Sequence, residues 1–184
     1  MLTWSGQLIK LQRGMSLLGV LIATFLLVGG SLAIVQLVSR TQNIVGIAQE
    51  RFIAANLARE GLELVQAYRD TNWFSGEAWT KDICDEASSS DYQFTIDHDP
   101  VTTLFITANP SLAQQRLRIT DTNLWTHHPS AATLTPYSRL ISVDCTAQNS
   151  TPPLITISAK VTWQSRGLTR EAEVKEVLYN WYKP

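Results

Sequence analysis

An uninterrupted apolar stretch near the N-terminus constrains this chain more than any other feature. The 25 residues from Met15 to Ser39 contain no Asp, Glu, Lys or Arg. As an α-helix, a stretch of this length spans about 37 Å, which is enough to cross the hydrocarbon core of a bilayer. We therefore predict a membrane-inserted helix over residues 15–39.

Two basic residues fix the expected orientation of this helix. Lys10 and Arg13 lie just before the apolar stretch, and positive residues favour the cytoplasmic side of a membrane. Residues 1–14 are therefore predicted to be cytoplasmic, and everything after Ser39 is predicted to lie outside, as in a single-pass inner-membrane protein. The formal net charge of the chain is -1, which gives no reason to expect a nucleic-acid partner.

The helical pattern continues beyond the apolar stretch. The first proline of the chain is Pro100, and apolar residues recur every three or four positions after Arg40. This stripe consists of Ile44, Ala48, Phe52, Ala55, Ala58, Leu62, Val65 and Tyr68. The pattern predicts that the same helix extends to Asp70, and that its residues 40–70 are amphipathic and cover the core of the following domain.

Residues 71–184 have a different pattern and are predicted to form a β-rich domain outside the membrane. Short runs of β-branched and aromatic residues are bounded by Pro, Gly, Asn or Ser, as is typical of strands. The predicted strands are Tyr92–Asp97, Thr102–Thr107, Arg116–Thr120, Tyr137–Asp144, Leu154–Trp163 and Leu168–Leu178. A turn over Gln164–Gly167 joins the last two strands; the charged residues 168–176 also fit a short helix, but a returning strand is the simpler interpretation.

The chain has two cysteines, Cys84 and Cys145, and both lie in the portion predicted to be exported. An oxidising compartment permits them to form a disulfide. Two buried thiols that act as small apolar side chains fit the sequence equally well. The sequence leaves both interpretations open.

Patterns that indicate catalysis or metal binding are weak. The clustered candidates are Asp97-His98-Asp99 and His127-His128, and the neighbouring Pro100 and Pro129 favour exposed loop histidines over a metal site. The sequence has no G-x-S-x-G elbow, phosphate-binding loop or H-E-x-x-H motif. We therefore expect no enzyme, no metal and no cofactor. Four aromatic residues are candidates for an adhesive surface or for core packing: Trp73, Phe74, Trp79 and Trp125.

The start of the apolar stretch resembles the cleavage site of type IV prepilins. The segment Lys10 to Leu18 has the sequence KLQRGMSLL, in which a basic leader ends in Gly14 and the apolar Met15 follows. The resemblance implies that a prepilin peptidase removes residues 1–14 and methylates the new amine of Met15. It also implies an α+β pilin fold, in which a long N-terminal helix packs on an antiparallel β-sheet.

Two further segments are similar to PilV-like minor pilins. Residues 57–73 resemble the end of the long helix. The closing hairpin is resembled by Val161-Thr162-Trp163, the following Gly167 and Arg170, and residues 178–181 (LYNW). The resemblance implies a structural subunit of a type IV pilus or of a type II secretion-like pseudopilus. Its implied partners are other pilin or pseudopilin subunits, the prepilin peptidase, an inner-membrane assembly platform and the lipid bilayer.

One position departs from the family pattern. The fifth residue of the mature chain is glutamate in most pilins, where it pairs with the amine of a neighbouring subunit, and here it is Gly19. An ammonium group without this partner is costly in an apolar filament core. Two interpretations stay open: Gly19 marks a subunit at the filament tip, or it is tolerated in a minor subunit that joins rarely.

A general signal-peptidase site is the main alternative. Ser31-Leu32-Ala33 is a small-residue motif after an apolar core, and cleavage after Ala33 would release an exported soluble protein. The helical pattern that continues through this site argues against cleavage there.

Gly29 and Gly30 lie within the apolar stretch, and they predict either a bend or close packing against another helix.

Overall fold

The computed structural model of the chain describes residues 17–84, 92–98, 104–129 and 133–181. One long helix, α1 (Leu17–Phe74), ends a turn past the predicted Asp70. The strands that follow are β1 (Tyr92–His98), β2 (Leu104–Ala108), β3 (Arg116–Ile119), β4 (Trp125–Thr126), β5 (Thr133–Asp144), β6 (Leu154–Ser165) and β7 (Leu168–Tyr179). Their pairings are antiparallel. The described residues therefore form the predicted combination of a long N-terminal helix and an antiparallel sheet.

Strand β5 is the centre of the sheet. Strand β6 pairs with it along one side, over residues 137–144 of β5. On the other side, β1 pairs with residues 141–143 and β3 pairs with residues 133–138. Strand β2 extends this side through β1, and β4 extends it through β3. Strand β7 pairs with β6 and forms the opposite edge.

The hairpin between β6 and β7 closes with a two-residue turn. Ser165 pairs with Leu168, and the turn residues Arg166 and Gly167 have φ values of 53° and 78°. Two consecutive positive φ values are typical of a type I′ turn, which matches the twist of the flanking strands. The predicted last strand is confirmed, and the alternative of a short helix is wrong. The turn is shorter than predicted because Gln164 and Ser165 belong to β6.

Two features of the sheet differ from the prediction. Strand β5 begins at Thr133, before the predicted start at Tyr137, and it passes through Pro136. The register of β3 against β5 shifts between Arg116 and Arg118, opposite this proline, so Pro136 lies where the ladder is already irregular. Strand β4 has only two residues, which is too short to show an alternating pattern in the sequence.

The chain divides into two compact units, residues 1–46 and 47–184. In the first unit, residues 17–45 are helical and exposed. The second unit contains the hydrophobic core, in which one stripe of α1 and the inward side chains of the sheet are buried together. Its strand residues include Phe94, Ile96, Leu117, Ile141, Val143, Ile155, Ile157, Val161 and Trp163. The boundaries expected at residues 14, 39 and 70 stay predictions.

The buried stripe of α1 begins later than predicted. Ala58, Leu62 and Val65 are buried as expected, but Ile44 is exposed and Phe52 is 68% exposed. Ala58 follows Phe52 by six positions, which places the two residues about 120° apart around the helix. The buried residues of α1 are Ala54, Leu57, Ala58, Gly61, Leu62, Val65, Arg69 and Asn72. Their spacing of three and four residues keeps them on one face.

Candidate functional site

The apolar segment of α1, defined here as residues 17–39, exposes its side chains around the whole helix. An 18-residue window within α1 has a mean hydropathy of 2.5, and none of this window is buried. Among the described residues, α1 is the helix that is long and apolar enough to cross a membrane. A single-pass anchor and a signal sequence both have this character.

Two hydroxyl groups within this segment are satisfied by the helix itself. Thr24 Oγ1 donates a hydrogen bond to the carbonyl oxygen of Val20 at 3.0 Å, and Ser31 Oγ donates to that of Leu27 at 2.8 Å. The backbone groups are paired along the helix, as an apolar environment requires. These serine and threonine side chains therefore add little cost to burial in lipid or among other helices.

The positions singled out from the sequence lie mainly along this helix. Gly19 is exposed, and a Cβ atom there would meet no atom beyond its own helix within 4 Å. Gly29 and Gly30 are equally open, and α1 stays helical through both. Gly14 and Met15, the predicted sites of cleavage and methylation, lie outside the described residues. Both interpretations of Gly19 stay open.

A second feature is a buried polar group between α1 and the sheet, which we call the Arg139 network: Leu57, Glu60, Asp97, His127 and Arg139. The side chain of Arg139 is fully buried. Its Nη1 donates to the carbonyl oxygen of Leu57 at 3.2 Å, and its Nη2 donates to that of Ile96 at 2.9 Å. Nη1 also lies 3.3 Å from Glu60 Oε1, and Nη2 lies 3.6 Å from Asp97 Oδ1. One buried cation therefore joins α1, β1 and β5.

Gly61 allows α1 to lie close to this network. A Cβ atom at Gly61 would be 2.9 Å from Cδ1 of Ile141 and 3.1 Å from Cδ of Arg139. Both neighbours are themselves fully buried, so they have little room to move away from a larger side chain. A larger side chain at this position would therefore force α1 away from the sheet or displace these neighbours.

Asp97 and His127 meet in the Arg139 network. The backbone N–H of His127 donates to Asp97 Oδ2 at 2.8 Å, and its ring Nδ1 lies 2.7 Å from Oδ1. The side chain of His127 is 5% exposed, so the prediction of an exposed loop histidine is wrong for this residue. It follows directly after β4, the strand that the sequence does not reveal. The side chain of His98 and the whole of Asp99 lie outside the described residues.

The charge of Asp97 is set by competing effects. Burial raises the pKa of this carboxyl group, but hydrogen bonds and charge from His127, together with the charge of Arg139, hold the pKa below its ordinary value of 3.8. Asp97 is therefore ionised at neutral pH and balances the buried guanidinium. Among the described residues, no group of three or more His, Cys, Asp and Glu side chains is placed to hold a metal ion.

Glu50 connects α1 to strands β5 and β6 of the sheet. Its Oε2 accepts a hydrogen bond from Nε1 of Trp163 at 3.1 Å, and its carbonyl oxygen accepts one from the hydroxyl of Tyr137 at 3.5 Å. The polar side chains of Ser165 and Trp163 beside its carboxylate lower the pKa of Glu50 below its ordinary value. The helix is thus held to β5 and β6 by polar contacts as well as by the core.

Cys84 and Cys145 form a disulfide in which their Cα atoms lie 6.1 Å apart. The bridge joins the segment after α1 to the residue that follows β5, and it spans 61 positions of the sequence. Both cysteines are buried. A covalent link of this span restricts the unfolded chain, and it therefore favours the folded domain.

The four aromatic candidates do not form one exposed surface. Trp79 is buried, and Trp125 packs edge-on against a core tyrosine. Trp73 packs against the core, and its ring lies 5.1 Å from that of Trp181. Only Phe74 of the four is largely exposed, at 94%. Core packing therefore accounts for most of them.

Inspection of the sequence missed the central residue of the Arg139 network. Arg139 lies within the predicted strand 137–144, at an inward position between Tyr137 and Ile141. Inward positions of a strand alternate with outward ones, and arginine is almost never fully buried without partners. A charged residue at an inward position of a central strand was therefore the signal for a buried ion pair.

No protein family model matches this chain, and no curated protein or solved structure is significantly similar to it. Its relationship to a known fold family therefore has no support from overall similarity. The functional interpretation depends on the apolar segment, the packing of α1 on the sheet and the sequence patterns around them.

Proposed function

We propose that this chain is a pilin-like subunit that assembles through α1 into a type IV pilus or a type II secretion-like pseudopilus. The observation that carries the proposal is that the exposed apolar segment belongs to the same helix whose residues 54–72 pack on an antiparallel sheet. An exposed apolar segment of this length requires a lipid or protein environment. A bilayer supplies one before assembly, and a filament core made of such helices supplies one afterwards.

The sequence before α1 supports the same proposal. Arg13, Gly14 and Met15 resemble the junction at which a prepilin peptidase cleaves and methylates. Cleavage after Ala33 instead would fall inside α1, and it would leave the exposed apolar residues Ile34 and Val35 at the start of a soluble protein. In the pilin-like interpretation the whole apolar segment is retained and lies in a bilayer or a filament core, so no apolar end is exposed to water.

The proposed role is structural and not catalytic. In this role α1 carries the globular domain, and the Arg139 network and Gly61 hold the helix against the sheet. Gly19 lacks the carboxylate that pairs with a neighbouring amine in most pilins, which favours a minor subunit or a tip subunit over a major one. The partners are other subunits of the filament, the prepilin peptidase, the assembly platform and the membrane.

A matched pair of substitutions tests the proposal in cells that carry the filament system. Leu27→Arg places a charge within the apolar segment, and Leu112→Arg makes the same change on the globular domain; the two leucines are 70% and 82% exposed. Arginine near the centre of a membrane helix costs about 2.5–3.5 kcal/mol on insertion scales. The amount of each variant is measured in the membrane fraction and in filaments sheared from the cells.

The unmodified chain and Leu112→Arg are expected in both fractions. Leu27→Arg is expected to be depleted from both, because its apolar segment is interrupted. If the unmodified chain is found in the membrane but never in purified filaments, it is a plain membrane-anchored protein and the proposal is wrong. If it is found only as a soluble exported protein, the signal-peptidase alternative is correct.

A further inference from the structure

Strand β7 is a long unpaired edge of the sheet. Its residues pair with β6 from Leu168, opposite Ser165, to Tyr179, opposite Leu154. Among the described residues, no strand pairs with its other side. The edges formed by β2 and β4 have five and two residues, whereas β7 has twelve. A long edge with free backbone groups is a template for another strand.

The free backbone groups belong to alternate residues of β7. Residues that flank a two-residue hairpin turn form a hydrogen-bonded pair, so the backbone groups of Leu168 point toward β6. This direction alternates along a strand, and therefore the odd-numbered residues from 169 to 179 direct their N–H and C=O groups outward. The side chains of the even-numbered residues from 170 to 178 lie on the more buried face of the sheet, and Gln66 Nε2 of α1 donates to Glu176 Oε1 at 2.6 Å.

The charges of β7 are complementary to those of a second β7 strand. In an antiparallel pair centred on Glu173, Glu171 lies opposite Lys175 of the second copy, and Arg170 lies opposite Glu176. Each of these pairs occurs twice by symmetry, and only Glu173 meets a like charge. Opposite charges across a strand pair are stabilising and like charges are destabilising. The register also pairs odd-numbered residues with odd-numbered ones, so the outward backbone groups can bond.

The neighbouring registers that preserve backbone pairing are less favourable. Centring the pair on Ala172 places Glu171 opposite Glu173 twice. Centring it on Val174 keeps opposite charges only between Glu173 and Lys175, and it leaves both inward charges of β7 facing uncharged residues. The charge pattern therefore selects the register centred on Glu173.

Arg170 is the positive charge among the inward side chains of β7, and within the chain its charge also helps to lower the pKa of Glu50. Its Nε is buried and makes no hydrogen bond within the part of the chain that the structure describes. A buried donor without an acceptor is destabilising. In the register centred on Glu173, the residue across from Arg170 is Glu176 of the second copy, so the two inward charges of β7 are complementary across the pair.

We propose that two copies of this chain pair through β7, in an antiparallel register centred on Glu173, and form one continuous sheet. Inward charges such as Arg170 and Glu176 normally protect an edge, because most partner strands would leave them unmatched. A second copy of β7 places an opposite charge across from each of them. The same charges therefore disfavour pairing with other strands and favour pairing with a second β7. The inference goes beyond the proposed function and does not depend on filament assembly.

Charge reversal tests both the pairing and its register. Glu171→Lys and Lys175→Glu each place like charges at two cross-strand positions, and each variant alone is expected to dimerise about tenfold more weakly than the unmodified chain. Mixed together, the two variants place Lys opposite Glu at both positions. The full chain is purified in detergent micelles, one partner is labelled with ¹⁵N, and native mass spectrometry measures homodimers and heterodimers. The mixture is expected to form heterodimers in excess of either homodimer.

Two further variants separate contacts between chains from contacts within one chain. The double variant Glu171→Lys/Lys175→Glu loses the contacts of Glu171 with Lys160 and of Lys175 with Glu173 within the chain, yet it restores opposite charges between chains. It is expected to dimerise like the unmodified chain. Glu77→Lys makes the same charge change outside the sheet, and its dimerisation is expected to be unchanged. Circular dichroism establishes that each variant is folded.

The proposal is overturned if the unmodified chain forms no dimers under these conditions. It is also overturned if each single variant dimerises as well as the unmodified chain, or if neither the mixture nor the double variant recovers. Association through the apolar segment in micelles does not depend on the charges of β7. That kind of association therefore cannot produce the predicted order of the variants.

Discussion

The guanidinium group of Arg139 donates a hydrogen bond across 3.2 Å to the carbonyl oxygen of Leu57. Leu57 lies on α1 and Arg139 lies at the centre of the sheet, so this bond links the two layers of the globular domain. Asp97 and Glu60 balance the buried charge. This hydrogen bond constrains both the direction and the distance of the contact between the layers, whereas apolar packing is not directional.

Arg139→Met is expected to destabilise the domain by about 3–5 kcal/mol. The substitution keeps much of the side-chain volume, but it leaves the buried carboxylate of Asp97 without its cation. The free energy of unfolding is measured by denaturant titration followed through tryptophan fluorescence. Arg51→Met, at an exposed position on α1, serves as the control and is expected to change stability by no more than about 0.5 kcal/mol. Equal effects of the two substitutions would contradict a structural role for the network.

Gly61→Leu and Gly46→Ala are expected to have opposite effects. A side chain at Gly61 collides with Ile141 and Arg139, and overpacking of this kind destabilises a core by about 1–3 kcal/mol. Gly46 has no atom within 4 Å of its Cβ position, and replacing a helical glycine with alanine stabilises a helix by up to about 1 kcal/mol. Thermal unfolding of both variants checks the prediction, which fails if Gly61→Leu is tolerated as well as Gly46→Ala.

Asp97→Asn is expected to reduce the stability of the domain at neutral pH. It is also expected to make stability depend less strongly on pH in the acidic range. The pKa of Asp97 is lower in the folded chain than its ordinary value of 3.8, so the stabilisation is complete above the ordinary value and is lost as the pH falls through the folded pKa. Denaturant titrations between about pH 7 and pH 2 measure this slope. Asp121→Asn, on an exposed turn, is the control. An acid slope that is the same in both variants would show that Asp97 does not contribute to it.

The sequence predicts those parts of the fold that follow from local pattern. The long helix and the alternation of β6 are visible because apolar residues recur at the period of the element over many positions. Strand β4 and the start of β5 are not visible, because a two-residue strand has no period and Pro136 is unusual inside a strand. The helical stripe near Phe52 is misplaced because steps of four residues drift around a helix with 3.6 residues per turn.

The candidate site divides in the same way. The apolar segment of α1 is local in sequence, so its length and exposure follow from inspection. The contact between Asp97 and His127 joins residues that are 30 positions apart. Asp97 lies on β1 and His127 follows β4, and these two strands are not neighbours in the sheet. Such a contact depends on tertiary packing, which no local pattern encodes. Arg139 is recognisable in the sequence as a charge at an inward strand position. Its partners have no comparable sequence signal.

Under the proposed pilin-like function, Gly19→Glu is expected to increase the incorporation of this chain along the filament shaft. The substitution restores a carboxylate that can pair with the amine of a neighbouring subunit in the apolar core, where an unpaired ammonium is costly. Immunogold labelling of isolated filaments at matched expression levels measures the number and position of subunits. The unmodified chain is expected to be sparse and terminal. Abundant unmodified chain along the whole shaft, or no change on substitution, would rule out this effect of Gly19.

The identity of the mature N-terminus tests the proposed function most directly. N-terminal sequencing and intact mass of the chain isolated from the cell envelope are expected to show a start at Met15 with a methylated amine. This result follows if a prepilin peptidase recognises the basic leader, Gly14 and the apolar segment together. A start at Ile34 would instead indicate a general signal peptidase, and an uncleaved Met1 would indicate a plain membrane anchor; either result would contradict the assignment as a pilin-like subunit.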